Sequence, residues 1–206
     1  MKIFIDFDNV VFNTSKFKRA LVEILKKSGV TAKDFSDTYE QAKNGGGYSF
    51  ARHVRLLSKK NLIRNVKNVR QAFDRSMTDL ASLVFRDAYM FFMRHEKEEL
   101  YLLSYGDPAF QKKKIAGSRV GKYFKRVIIT KGDKGKEIVA AMDVRARSPR
   151  ETVIFIDDSD VHIREAHNIA GVITIQLSRG EVIHKTSAAD YHVSTLAQAS
   201  KIIESL

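Results

Sequence analysis

The sequence predicts an α/β protein: a three-layer parallel sheet with a helical domain inserted into it. Three observations predict this. Short apolar runs with a β-branched bias recur along the chain and alternate with helical periodicities, which is the pattern of βαβ units. The runs are continuously apolar rather than alternating, as strands buried on both faces are. Between the first run and the second lies a long helical stretch, residues 14–96, with no convincing strand.

The first strand is the run Ile3-Phe4-Ile5, followed by Asp6-Phe7-Asp8-Asn9. On a strand that continued, Asp6 and Asp8 would share a face. Residues 16–27 carry Phe17, Leu21, Ile24 and Leu25 at helical spacing, with Ser15 placed to cap the helix and Gly29 to end it. A shorter helix fits 31–42. Asn44-Gly45-Gly46-Gly47 is a break, read as a connection or hinge between helices. Ser49 can cap a helix with Phe50, Val54 and Leu57 on its apolar side, and residues 68–95 read as one long helix. Leu100–Leu103 is the second strand, closed by the turn Ser104-Tyr105-Gly106-Asp107-Pro108 and followed by a helix over 110–115. Val127-Ile128-Ile129 is the third, with Asp133 as the cap of the next helix. Val153-Ile154-Phe155-Ile156 is the fourth and ends in Asp157-Asp158-Ser159, before a helix carrying Ile163, Ala166 and Ile169. Residues 172–175 form a fifth, 191–193 a short sixth, and 195–203 a closing helix.

With 206 residues, the chain can hold one sizeable core plus an insertion. The absence of cysteine excludes disulfides, thiolate catalysis and zinc–thiolate sites. No apolar run reaches membrane-spanning length and Met1 leads directly into a strand, so a cytoplasmic protein with no membrane partner is expected. The formal charge of +12 suits polyanions or phosphorylated small molecules. The six histidines show no metal-ligand spacing.

In open α/β sheets ligands bind beyond the carboxyl ends of the strands. That rule brings Asp6, Asp8, Ser104, a lysine after the third strand, Asp157 and Asp158 into one crevice, although they lie far apart in sequence. Four carboxylates gathered in an apolar setting call for a hard cation, with Mg²⁺ the usual partner of carboxylate and phosphate oxygens. A hydroxyl and an ammonium beside them suit a phosphoryl group. No Walker-type phosphate loop and no Ser-His-Asp arrangement is evident.

These residues, in this order, resemble the signatures of the haloacid dehalogenase (HAD) superfamily. The segment Asp107-Pro108 with Gln111 and Lys114 is similar to the stretch just after the second signature in many members. The resemblance implies a Rossmann-like core over residues 1–13 and 97–206 and a helical cap over 14–96. It implies a Mg²⁺-dependent phosphomonoesterase for a small phosphorylated metabolite, a nucleotide or sugar phosphate. Asp6 would be the nucleophile that forms an aspartyl-phosphate. Asp8 would be the acid and base, and its backbone carbonyl would bind the metal. Ser104 and Lys134 would hold phosphoryl oxygens, and Asp157 and Asp158 would hold the metal directly or through water. Lys134 is favoured for its place at a helix start behind Asp133, with Lys131 as the alternative. Asp160 is a helix-start residue rather than a ligand. Dehalogenating members resemble this chain but lack the second acid.

The cap carries the longest one-signed stretch. From Gln41 to Phe73 there is no acid, while Lys43, Arg52, Arg55, Lys59, Lys60, Arg64, Lys67 and Arg70 fall within it. Such a stretch could meet a nucleotide or a nucleic-acid end, but basic helices with few exposed aromatics do not make a nucleic-acid motif. Nucleic-acid binding on an inactive core, and phosphoryl transfer of the mutase type, are the alternatives to hydrolysis. The sequence leaves the oligomeric state open.

Overall fold

The computed structural model describes residues 1–43, 46–142, 152–180 and 187–206. Asn44 and Gly45 of the expected glycine break lie outside the described residues. Six strands form one sheet: β1 (Lys2–Ile5), β2 (Glu99–Tyr105), β3 (Arg126–Thr130), β4 (Val153–Asp157), β5 (Val172–Leu177) and β6 (Tyr191–Val193). Their order is β3-β2-β1-β4-β5-β6, and each neighbouring pair is parallel. The order reverses at β1, which lies at the centre between β2 and β4. The carboxyl ends of those three strands therefore open onto one crevice, the switch point of the sheet.

Strand alternation assigns the faces. Phe4, Leu103 and Phe155 pack with Ile138, Ile163 and Ala166, from α7 (Lys134–Ala141) and α8 (Asp160–His167). Ile3, Ile5, Leu102 and Ile156 face the other way. They share a core with α5 (Arg86–Arg94), α6 (Pro108–Ser118) and α9 (Leu196–Ile203). These are the three layers that buried, continuously apolar strands require.

The second core runs on without a break into the inserted helices α1 (Thr14–Lys26), α2 (Ala32–Lys43), α3 (Phe50–Lys59) and α4 (Val66–Ser76). Rings carry it across: Phe12 lies 5.5 Å from Phe17, and Phe110 meets both Phe17 and Tyr48. Two glycines allow the backbones to approach there. A Cβ on Gly47 would stand 2.6 Å from Gly106 Cα, and one on Gly117 would stand 2.3 Å from the Met77 carbonyl oxygen.

Several local expectations change. Residues 68–95 are not one helix: α4 stops at Ser76, a 3₁₀ turn covers Ala81–Leu83, and α5 begins at Arg86. The apolar spacing persists through the gap, but Leu80 N–H donates to the Gly117 carbonyl at 2.8 Å and Asp79 Oδ1 accepts from Ala81 N–H at 3.1 Å. Tertiary and side-chain partners thus replace the helical bonds there. α5 packs against α9 of the core, although it lies inside the stretch 14–96. Asn13, not Ser15, caps α1, accepting from Lys16 N–H at 2.8 Å. Ser49 holds the N-cap position of α3 without a side-chain capping bond. α6 spans 108–118 rather than 110–115, with Asp107 as its cap, and Ile169 lies beyond the end of α8. No helix among the described residues is long and apolar enough to cross a membrane.

His53 on α3 is fully buried. Its Nε2 lies 2.7 Å from Thr38 Oγ1 and its Nδ1 2.9 Å from the Tyr48 hydroxyl. Burial lowers its pKa from 6.5 to about 4. The unfolded chain takes up this proton first as pH falls, so the contribution is intact above the unfolded value and is lost between the two. Urea unfolding should show up to about 3 kcal/mol lost between pH 6.5 and 4 on this account. The loss should be reduced in His53→Gln; an unchanged pH slope in that variant would remove the histidine from the explanation.

Candidate active site

β1 ends at Ile5, and Asp6 is the first residue beyond it. Asp6 N–H still donates to the Ile156 carbonyl of β4 at 2.9 Å, which fixes Asp6 beside Asp157. Asp157 is the last residue of β4 and fully buried. Between these two carboxylates stands Lys134, the first residue of α7, with no exposed surface. Its Nζ donates to Asp6 Oδ1 at 2.5 Å and to Asp157 Oδ2 at 2.6 Å. The local sequence places it there. Asp133 caps α7, accepting from Lys136 N–H, and Lys134 N–H donates to Glu165 Oε2 at 3.0 Å. Gly135 lets α7 lie directly on α8, because a Cβ there would sit 2.4 Å from the Glu165 carbonyl oxygen.

Asp6, Asp157 and Asp158 offer oxygens that all lie within 4.8 Å of one another, and they form the one such acidic group among the described residues. Burial raises the Asp6 pKa well above the usual carboxylate range. The Lys134 charge opposes this rise, while Asp157, Asp158 and Asp8 add to it. Burial and the Asp157 charge likewise lift Asp158 to about 6. On Lys134, burial works against the proton, but Asp157 and Asp6 outweigh it and hold the ammonium above its ordinary value. Crowded, partly neutralised carboxylate oxygens of this kind fit a hard divalent cation.

Asp8 behaves differently. The strand does not continue to Asp8, which lies in a tight turn, so strand alternation does not set its direction. Asn9 comes next at φ 58°, the left-handed region that asparagine tolerates. Asn9 N–H donates to the Phe12 carbonyl at 2.8 Å, and its side-chain amide donates to Asp158 Oδ2 at 2.9 Å. The Asp8 carboxylate has its own set of donors. Lys114 Nζ and Thr14 Oγ1 both donate to its Oδ1, and Gln111 Nε2 donates to its Oδ2 at 2.7 Å. Three carboxylates lie within reach of one ion, and Asp8, close enough for its charge to act on Asp6 and Asp158, stands beside them. Burial alone would raise Asp8, but the Lys114 charge and the hydrogen bonds from Lys114, Thr14 and Gln111 hold it below the usual range.

Lys114 is almost fully buried, and its ammonium lies 5.2–5.7 Å from the ring centroids of Phe7, Phe12, Phe17 and Phe110. Such a charge persists because Asp8 neutralises it and the ring faces stabilise it. Ser104, near the end of β2, is fully buried, and its Oγ accepts from Gln111 Nε2 at 2.7 Å. Gln111 therefore links Ser104 to Asp8. Lys131 reaches none of these groups and lies beside Gly46 instead. Asp160 is the first residue of α8 and pairs with Arg164 at 2.6 Å. The sequence singles out Asn9, Gln111 and Lys114 only as parts of signature segments, without contacts, and does not mark Thr14 at all.

A cavity of about 720 Å³ lies between α1 and α4 and contains none of these residues. One of about 310 Å³ lies between the inserted helices and the core and has Asp8, Thr14, Gln111 and Lys114 in its lining.

No protein-family model and no curated protein matches the sequence. Solved structures do match the fold. A haloacid dehalogenase-like hydrolase from Burkholderia xenovorans is 17% identical with TM-score 0.77, over 99% of this chain and 96% of that one. The HAD-hydrolase YfnB from Bacillus subtilis, bound to magnesium, is 15% identical with TM-score 0.68, over 98% of each chain. L-2-haloacid dehalogenase from Xanthobacter autotrophicus, with chloropropionic acid covalently bound, is 13% identical with TM-score 0.62, over 100% of this chain and 98% of that one. The chain has the haloacid dehalogenase-like fold.

If the trio holds Mg²⁺, the ion should raise the thermal midpoint by about 5–10 °C at roughly a hundredfold excess over its dissociation constant. Asp158→Asn should lose most of that shift in differential scanning fluorimetry. An equal shift in wild type and variant would place the ion elsewhere.

Proposed function

We propose that the protein is a Mg²⁺-dependent hydrolase of small phosphomonoesters that acts through an aspartyl-phosphate. The observation that carries this is the pair of differently held acids: Asp6 among Lys134, Asp157 and Asp158, and Asp8 turned to Lys114 and a separate cavity. Bound Mg²⁺ supplies positive charge that favours the ionised carboxylates and offsets phosphoryl oxygens.

The residues divide the work. A carboxylate oxygen of Asp6 attacks phosphorus. The phosphorus–ester oxygen bond breaks, its electron pair passes to that oxygen, and a proton from Asp8 completes the alcohol. Asp8 is ionised in the free protein; a phosphate dianion arriving beside it raises its affinity for that proton. Water then attacks the phosphorus of the aspartyl-phosphate while Asp8 removes its proton, and phosphate leaves from Asp6. Lys134 and the Ser104 hydroxyl are the donors at hand for phosphoryl oxygens.

Dehalogenation is the activity in the names of several matching structures. Halide leaves without a proton, so an acid at Asp8 with three donors arranged around it would have no work to do in that reaction. This favours phosphate esters. A Mg²⁺-supplemented panel of p-nitrophenyl phosphate, nucleotides, sugar phosphates and 2-chloropropionate tests the reading. Phosphate release that falls about 10³-fold or more in Asp6→Asn is expected. Chloride release without phosphate release, or phosphatase activity undiminished in Asp6→Asn, would refute it.

Lys114 adds a second test. Lys114→Met should cost alkyl phosphates about 10²-fold, because their poor leaving oxygens need the proton that the Asp8–Lys114 pair controls. p-Nitrophenyl phosphate should lose far less. Equal losses for both substrates would reduce Lys114 to a structural residue.

A further inference from the structure

We propose that the cavity beside Asp8 is built for the alcohol portion of the substrate, and that this portion carries one aromatic ring system and a second negative charge. The inference rests on the phosphomonoesterase reading and narrows its substrate class.

Position comes first. The cavity reaches Asp8, Gln111 and Lys114, while Asp6, Asp157 and Asp158 are not part of its lining. An ester whose phosphorus is at Asp6 and whose leaving oxygen is at Asp8 would therefore extend its alcohol into this space. A cavity of about 310 Å³ is at the small end for ligand sites, which suits a single ring system or a nucleoside.

Chemistry comes second. The walls are the rings of Phe17, Tyr39, Tyr48, Tyr105 and Phe110. A polyol buried here would lose water and find few partners, because buried hydroxyls need hydrogen bonds. The Tyr48 hydroxyl is already engaged with His53 Nδ1 at 2.9 Å. Flat apolar rings pack instead against another ring, by face or by edge. Sugar phosphates are the poorer fit.

Charge comes third. The lining holds two acids, and both are engaged. Asp8 faces Lys114, while Asp107 caps α6, accepting from Phe110 N–H at 3.0 Å, and lies 3.8 Å from Arg52. Two further lysines, Lys18 and Lys43, bring their ammonium groups to 3.8 Å and 5.0 Å from the centroid of Tyr39. Lys43 shares its charge with the exposed Glu40, but Lys18 makes no ion pair among the described residues. The Tyr39 hydroxyl stays neutral, pushed up to about 12 by burial and the Asp8 charge. The cavity thus carries surplus positive charge at its rim, beyond what the phosphoryl group uses.

Four esters that all release primary alcohols test this with intrinsic reactivity matched: benzyl phosphate, 4-carboxybenzyl phosphate, glucose 6-phosphate and glycerol 3-phosphate. In wild type, kcat/KM should be highest for 4-carboxybenzyl phosphate, lower for benzyl phosphate, and lowest for the two polyol phosphates. The step between the two benzyl esters should be about tenfold and should vanish in the Lys18→Ala/Lys43→Ala variant. Polyol phosphates at or above benzyl phosphate, or a carboxylate preference unchanged in the double variant, would overturn the proposal. Calorimetric binding of benzylphosphonate and its 4-carboxy analogue to Asp6→Asn, with and without the two lysine substitutions, separates this inference from its premise. If no ester is hydrolysed, the phosphatase reading falls. Lysine-dependent preference for the carboxylated phosphonate would then still support the proposed site, and equal binding would overturn it.

Discussion

One buried ammonium holds the central crevice together. Lys134 bridges Asp6 at the end of β1 and Asp157 at the end of β4. Without a cation between them, two buried carboxylates on adjacent strands could not both be ionised. The bridge therefore allows the sheet to end in acids at its switch point. It also explains why the first turn of α7 must lie so close to α8, and why Gly135 stands there. Asp158, tied to Asn9 rather than to Lys134, completes a trio whose remaining charge is negative and open to a divalent ion.

A second buried ammonium divides the chemistry. Lys114 sits among four phenylalanine rings and pairs with Asp8, so that two aspartates only two residues apart have opposite environments. Burial pushes Asp6 up, while Lys114, Thr14 and Gln111 hold Asp8 down. In the proposed reaction, bound Mg²⁺ and an arriving phosphate dianion would have to reverse these preferences, ionising Asp6 and protonating Asp8. The local cause of the opposite environments is that β1 ends at Ile5, so strand alternation no longer sets the direction of Asp8, and Lys114, Thr14 and Gln111 hold its carboxylate instead.

The basic stretch of the insertion is less uniform than its composition suggests. Arg52 donates to the carbonyls of Ala42, Lys43 and Gly47, satisfying the end of α2 and clasping the loop that touches Gly106. Its charge serves the junction between inserted helices and core. Lys43 and Lys18, by contrast, stand at the rim of the cavity that reaches Asp8.

The sequence by itself determined the sheet, its strands and the convergence of Asp6, Asp157 and Asp158. Continuous apolar runs ending in polar residues fix buried parallel strands, and parallel strands bring their ends together whatever the distance in sequence. It also marked Lys134, because a lysine behind a helix-capping aspartate has a defined position. What only the tertiary structure decided is everything that depends on direction rather than on order. The stretch 68–95 reads as one helix, yet a carbonyl on α6 takes the bond that would have continued it. Asp8 reads as the companion of Asp6, yet the strand stops before it and Lys114, from a distant helix, takes its carboxylate. A pattern records which residues are apolar or charged, but not the residue at which a strand stops or the distant hydrogen-bond partner that holds a side chain.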